Sequence, residues 1–169
     1  NFLRTLYQAA KAHAPDRLFT YVNFPPTEFL DLSFFDVCAF NVYLHQETEL
    51  RAYLARLQHI AGQKPLLLAE AGADSTREGE AGQAAIMAMH IRAAFEEGAC
   101  GAVAFAWTDD WWRGGFAVED WSFGLVDRHG VAVGAQHDRR PGCGTRGRGL
   151  RFGARRTRAG DKAQRWRAA

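Results

Sequence analysis

The run Pro65-Leu66-Leu67-Leu68-Ala69-Glu70-Ala71-Gly72-Ala73 sets the class of fold open to this chain. Its apolar body lacks the polar alternation of a half-solvated strand. Such continuous runs belong to parallel strands covered on both faces. In parallel α/β folds, functional groups gather where the strands end. Glu70 stands at that point. Taken alone, it is either a solvated strand end or a reactive carboxylate.

The surrounding chain repeats the same unit. Residues 2–14 carry Phe2, Leu3, Leu6, Tyr7, Ala10 and Ala14 at helical spacing, and Pro15 closes the segment. Leu18 to Asn23 reads as a strand, broken by Pro25-Pro26, with Thr27 capping a short turn. Asp36 to Tyr43 reads as a second strand, with Asn41 and Tyr43 at its end. Residues 48–61 form the clearest helix, with Gly62 as its stop. After Glu70 comes a polar loop over 73–80. A helix follows with Ile86, Met87, Ile91, Ala94 and Phe95 inward, stopped by Gly98. Gly101 to Trp107 is a fourth strand. Asp109, Asp110, Trp111 and Trp112 follow, Gly114-Gly115 breaks the chain, and Trp121 and Phe123 lie in a loop.

Strands alternating with helical segments imply βαβ units and a parallel sheet. One edge of that sheet then gathers Asn23, Asn41, Tyr43, Glu70, Trp107, Asp109 and Asp110. No glycine-rich phosphate loop follows a strand, so a nucleotide cofactor is not expected. The histidines lack ligand spacing, so no metal is expected; His59 and His90 read as packing or surface groups, and His45 as a possible cleft residue. Cys38, Cys100 and Cys143 form no CxxC pair, and Cys100 lacks a nearby base. No apolar run is long enough to cross a membrane. A carboxylate among aromatic rings and hydrogen-bonding groups suits carbohydrate. Sugars offer apolar faces to indole and hydroxyls to Asn, Asp and Tyr.

The strand ends Asn41-x-Tyr43, Leu68-Ala69-Glu70-Ala71-Gly72 and Phe105-Ala106-Trp107 together resemble strands six, seven and eight of the barrel in clan A glycoside hydrolases. The family 2 type, with β-galactosidase, β-glucuronidase and β-mannosidase members, is the most similar. The resemblance covers residues 1–128 and implies the C-terminal half of a (β/α)₈ TIM barrel, strands five to eight. It implies Glu70 as nucleophile, Tyr43 as the group that orients it, and Trp107 as the floor of the sugar subsite. Asn41, Asp109 and Trp111 are weaker candidates for substrate contact; Trp111 and Trp112 can equally pack the loop onto the barrel rim. The family's acid/base Glu ends strand four, which would lie upstream of Asn1. The expected partners are therefore a carbohydrate substrate and the missing N-terminal half of the barrel.

Charge divides the chain. Residues 1–133 hold 10 Lys and Arg against 17 Asp and Glu; residues 134–169 hold 11 against 2. That tail contains ten Arg and seven Gly with no apolar period, and cannot bury enough surface to order itself. It reads either as a basic nucleic-acid tail or as the product of a lost reading frame near residues 128–135. The second is favoured, because Arg, Gly and Ala are what GC-rich DNA yields out of frame. The sequence thus points to 1–133 as a partial glycosidase-like barrel and 134–169 as a disordered or out-of-frame tail. The leading function is retaining glycoside hydrolysis, with the isolated chain inactive for want of its acid/base. A transglycosylase on the same barrel and a non-catalytic carbohydrate-binding or scaffold barrel are the alternatives.

Overall fold

A computed structural model describes residues 2–133, and the tail expected over 134–169 lies outside them. The elements run α1 (Phe2–His13), β1 (Val22–Asn23), a 3₁₀ turn (Pro25–Thr27), β2 (Cys38–Asn41), α2 (Glu47–Ala61), β3 (Leu66–Ala71), α3 (Ser75–Glu96) and β4 (Gly101–Ala104). A hairpin of β5 (Trp111–Arg113) and β6 (Phe116–Val118) follows. The first four strands form one sheet in the order β1-β2-β3-β4, every pairing parallel. This is the α/β architecture expected from the alternating pattern, and it brings the four strand ends to one edge.

One face of the sheet is packed. Leu50, Leu54 and Leu57 lie at intervals of four and three along α2 and are fully buried. They meet Phe40 of β2, Leu66 and Leu68 of β3, and Met89, Ala93 and Ala94 of α3 in one core. Each such leucine contributes about 1.5–3 kcal/mol through burial. The opposite face is partly open. Val103 of β4 stays 50% exposed, and Leu18 and Val22 on the β1 side are also exposed.

Several elements differ from the sequence expectation. β1 is shorter: residues 19 and 20 are tied mainly by side chains, with one backbone bond from the Asp36 N–H to the Phe19 carbonyl at 3.0 Å. Asp36 Oδ2 accepts from the Phe19 N–H at 2.8 Å, and Thr20 Oγ1 donates to the Val37 carbonyl at 2.7 Å. The loop expected over 73–80 is largely helical. Asp74 caps α3 by accepting from the Thr76 N–H at 2.9 Å, and Gly79, at φ 72°, kinks the first turn away from the rest. Ile91 and Phe95, expected inward, are exposed. Met87 and Ala94 are buried and Ile86 packs partly buried against the core, as expected, and Met89, His90 and Ala93 join them. Ala93 and Ala94 let the helix lie close to the sheet, and His90 Nε2 sits 2.6 Å from the Leu44 carbonyl.

Candidate active site

Glu70 is delivered by an irregularity in β3. Leu66 and Leu68 face the helices, so strict alternation would send residue 70 into the same core. It does not. Against β2 the register runs Phe40↔Leu68 and then Asn41↔Glu70, and against β4 it runs Leu68↔Ala102 and then Ala71↔Ala104. One extra residue, Ala69, is thus inserted in β3 relative to both neighbours. Such a bulge re-aims the side chain that follows it. Ala71 returns to the core, and Glu70 is placed beside Asn41 at the sheet's C-terminal edge.

Tyr43 completes the pair. Its hydroxyl donates to Glu70 Oε2 at 2.6 Å. Burial, and then the hydrogen bond and negative charge of Glu70, raise the Tyr43 pKa far above its usual value of 10.0. The phenol therefore stays protonated and remains a donor throughout the neutral range. The Tyr43 ring lies edge-on to Phe105 and Phe123, with centroids 5.9 and 6.1 Å away.

Beside Tyr43 opens a cleft of about 630 Å³ lined by Tyr43, His45, Asp74, Arg77, Phe105 and Trp121 together with Glu78 and Phe123; Glu70 itself is not on its wall. His45 Nδ1 stands 3.3 Å from Glu78 Oε1, so His45 does reach the cleft. Asp74 is buried and accepts from the N–H groups of Thr76 and Ser122, which stitches the start of α3 to the loop after β4. Gln83 reinforces that seam through the carbonyls of Ala73 and Ser122.

The remaining candidates fall in different places. Asn41 lies in register with Glu70, and its Oδ1 is buried without a hydrogen-bond partner. Trp107 is not among the cleft residues; it is 70% exposed, and the strand-end aromatic that meets Tyr43 is Phe105, two residues earlier. The β4 ladder ends at Ala104, and Phe105, one residue on, turns its ring to Tyr43. Asp109 is buried, and its Oδ1 accepts from the Gly124 N–H at 2.6 Å. It pins the loop rather than facing substrate. Trp111 packs on Phe105 with centroids 5.0 Å apart and touches Trp121 at 6.4 Å.

Sequence reading missed Phe105, Phe123 and the β5–β6 hairpin. The hairpin had a signal: Gly114 and Gly115, both at positive φ, form a two-residue turn between short aromatic runs. Among the described residues, no group of three His, Cys, Asp or Glu is placed to hold a metal ion.

No family model and no curated protein matches the sequence. Solved structures do match in fold. A β-glucuronidase from an uncultured Clostridium sp. superposes with TM-score 0.66 at 20% identity, over 82% of this chain and 28% of that one. The Ruminococcus gnavus β-glucuronidase in complex with D-glucuronic acid gives TM-score 0.67 at 18% identity, over 81% and 28%. The Bifidobacterium dentium β-glucuronidase complexed with coumarin-3-O-glucuronide gives 0.65 at 22% identity, over 80% and 25%.

The shared fold is that of β-glucuronidases. The resemblance to family 2-type glycosidases is thereby borne out at the level of fold, and the chain spans about a quarter of the length of these structures.

Proposed function

We propose that this chain carries the nucleophile half of a retaining glycoside hydrolase, with β1 to β4 as strands five to eight of a (β/α)₈ barrel. The observation that carries the reading is the Tyr43–Glu70 pair at the C-terminal edge of a parallel sheet whose fold β-glucuronidases share. Oε2 of Glu70 is held by the Tyr43 hydroxyl, which leaves Oε1 to attack the anomeric carbon. The carbon–oxygen bond to the leaving group breaks as the bond to Glu70 forms, giving a covalent glycosyl-enzyme. A general acid protonates the departing oxygen. It then deprotonates the water that releases the sugar, so the carboxylate pair ends as it began.

That acid/base would come from strands one to four, the second partner besides the carbohydrate. The exposed apolar residues on the open face of the sheet support such a complement: Val22 and Val103 are core-type side chains without a cover among the described residues. On its own, the chain is expected to self-associate through that face and to turn over little or no glycoside. Asn41, in register with Glu70, is the residue we propose to meet a sugar hydroxyl.

Labelling tests the nucleophile without needing the acid. A 2,4-dinitrophenyl 2-deoxy-2-fluoro glycoside leaves unaided, so Glu70 can trap it alone. Incubating the protein with a panel of such glycosides should add one sugar mass, mapped by peptide analysis to Glu70 and absent in Glu70→Gln. A folded protein that takes no label from any sugar would instead point to a carbohydrate-binding or scaffold barrel. Product analysis with an added sugar acceptor separates hydrolysis from transglycosylation.

A further inference from the structure

The β5–β6 hairpin builds a second cleft that the nucleophile reading leaves unused. It measures about 520 Å³ and is bordered by Trp111, Arg113, Phe116, Glu119, Asp120 and Trp121. Its register pairs Trp111 with Val118 and Arg113 with Phe116. Cross-strand partners share a face, and residues two apart share it too, so Trp111, Arg113, Phe116 and Val118 form one surface. Phe116 is 78% exposed there and Trp121 45%. Exposed rings gathered into one patch and rimmed by polar groups, unlike single exposed side chains, mark ligand or partner surfaces.

Two features tie this surface to the cleft at Tyr43, the hydrogen-bond partner of Glu70. Trp121 borders both clefts, so they are neighbours across one indole. An unbroken aromatic relay also runs from Tyr43 to Phe105, then to Trp111 and Trp121. The Trp111 Nε1–H is buried without a partner. Around the rings stand Arg113, Glu119 and Asp120, groups that hydrogen-bond hydroxyls. Flat apolar rings edged by such groups match a pyranose, which has one CH face and an equatorial rim of hydroxyls. Arg128 stands 3.7 Å from Glu119, so two guanidiniums balance the two carboxylates of this edge, and an edge without net charge suits a neutral sugar.

Resting on the assignment of Glu70, we infer that the hairpin cleft is a binding subsite for a neutral glycosyl unit next to the one held at Glu70, so that the substrate is an oligosaccharide chain rather than a single glycosylated aglycone. Trp121 divides the two subsites, and Phe116 and Trp111 carry the second ring.

Binding, not turnover, tests this. Neutral β-linked hexose di-, tri- and tetrasaccharides would be titrated into the full chain, with intrinsic tryptophan fluorescence and calorimetry as readouts. The same titrations would use Phe116→Ala, Trp121→Ala and Glu70→Gln. Phe116→Ala keeps a tryptophan signal and changes an exposed ring, so its fold should be intact by circular dichroism. The expected result is binding of the longer sugars that weakens tenfold or more in Phe116→Ala and Trp121→Ala and persists in Glu70→Gln. Full affinity in both aromatic variants, or no binding of any of these sugars to the parent chain, overturns the subsite. Binding lost only in the aromatic variants, together with failure of Glu70 to take a fluoroglycoside label, would sink the nucleophile and keep the subsite as a binding site.

Discussion

The Tyr43 hydroxyl reaches Glu70 Oε2 at 2.6 Å even though 27 residues separate the two in sequence. The contact depends on parallel pairing of β2 and β3. Val42 N–H donates to the Glu70 carbonyl at 2.9 Å, which fixes the backbone on which both side chains stand. A hydrogen bond to an ionised group is worth about 1.5–3 kcal/mol. Tyr43→Phe should therefore slow fluoroglycoside labelling of Glu70 by about tenfold to a hundredfold, using about 1.4 kcal/mol per factor of ten. An unchanged labelling rate would reduce Tyr43 to a packing residue.

Gly72 governs the approach of β3 to the aromatic cluster. A Cβ at that position would lie 2.1 Å from the Phe105 carbonyl oxygen, a backbone atom that cannot swing aside. The Phe105 N–H donates to the Ala71 carbonyl at 2.9 Å, so the same two segments are already tied. Gly72→Ala should force them apart, at about 1–3 kcal/mol for overpacking. Urea unfolding would read the loss. Near-ultraviolet circular dichroism should change as well, because Phe105 stacks near Trp111.

The sheet, its helices and the place of Glu70 were legible because they follow from patterns of apolar residues. Leu50, Leu54 and Leu57 announce α2, and Leu66 to Leu68 announce β3. What was not legible depends on geometry between strands. Nothing in the letters Leu-Ala-Glu-Ala marks Ala69 as the bulged residue, so Glu70 was read as a strand end and not as a re-aimed side chain. The same gap explains Trp107. Indole is the obvious sugar platform, but β4 releases the chain at Ala104 and gives the cleft to Phe105. Asp109 was misplaced because its partner, the Gly124 N–H, lies 15 residues on in a loop with no periodic pattern. The hairpin had its Gly-Gly turn in plain view, but strands of three residues are too short for alternation to register.

His90 gives the domain an acid-sensitive point. It is fully buried, and burial first, with the nearby His45 as a smaller effect, holds its pKa below the ordinary 6.5. The unfolded chain then binds a proton as pH falls through 6.5, and the folded chain resists it. Stability should therefore be intact above that value and decline below it. His90→Gln keeps a polar group near the Leu44 carbonyl but cannot titrate. The fall in Tm between pH 7.5 and 5.5 should be smaller in the variant than in the parent, measured in matched buffers. Equal falls would place the sensitivity elsewhere.

Deleting Ala69 tests whether the bulge itself is needed for the Tyr43–Glu70 contact. With the extra residue gone, Glu70 follows Leu68 directly and keeps its register with Asn41, while Leu66, Leu68 and Ala71 still meet the core. The carboxylate therefore stays on the face it already occupies. The deletion variant should melt cooperatively and still take a fluoroglycoside label at Glu70. Loss of labelling in a variant whose thermal transition is intact would mean that the bulge, and not the face of the strand alone, carries Glu70 to Tyr43.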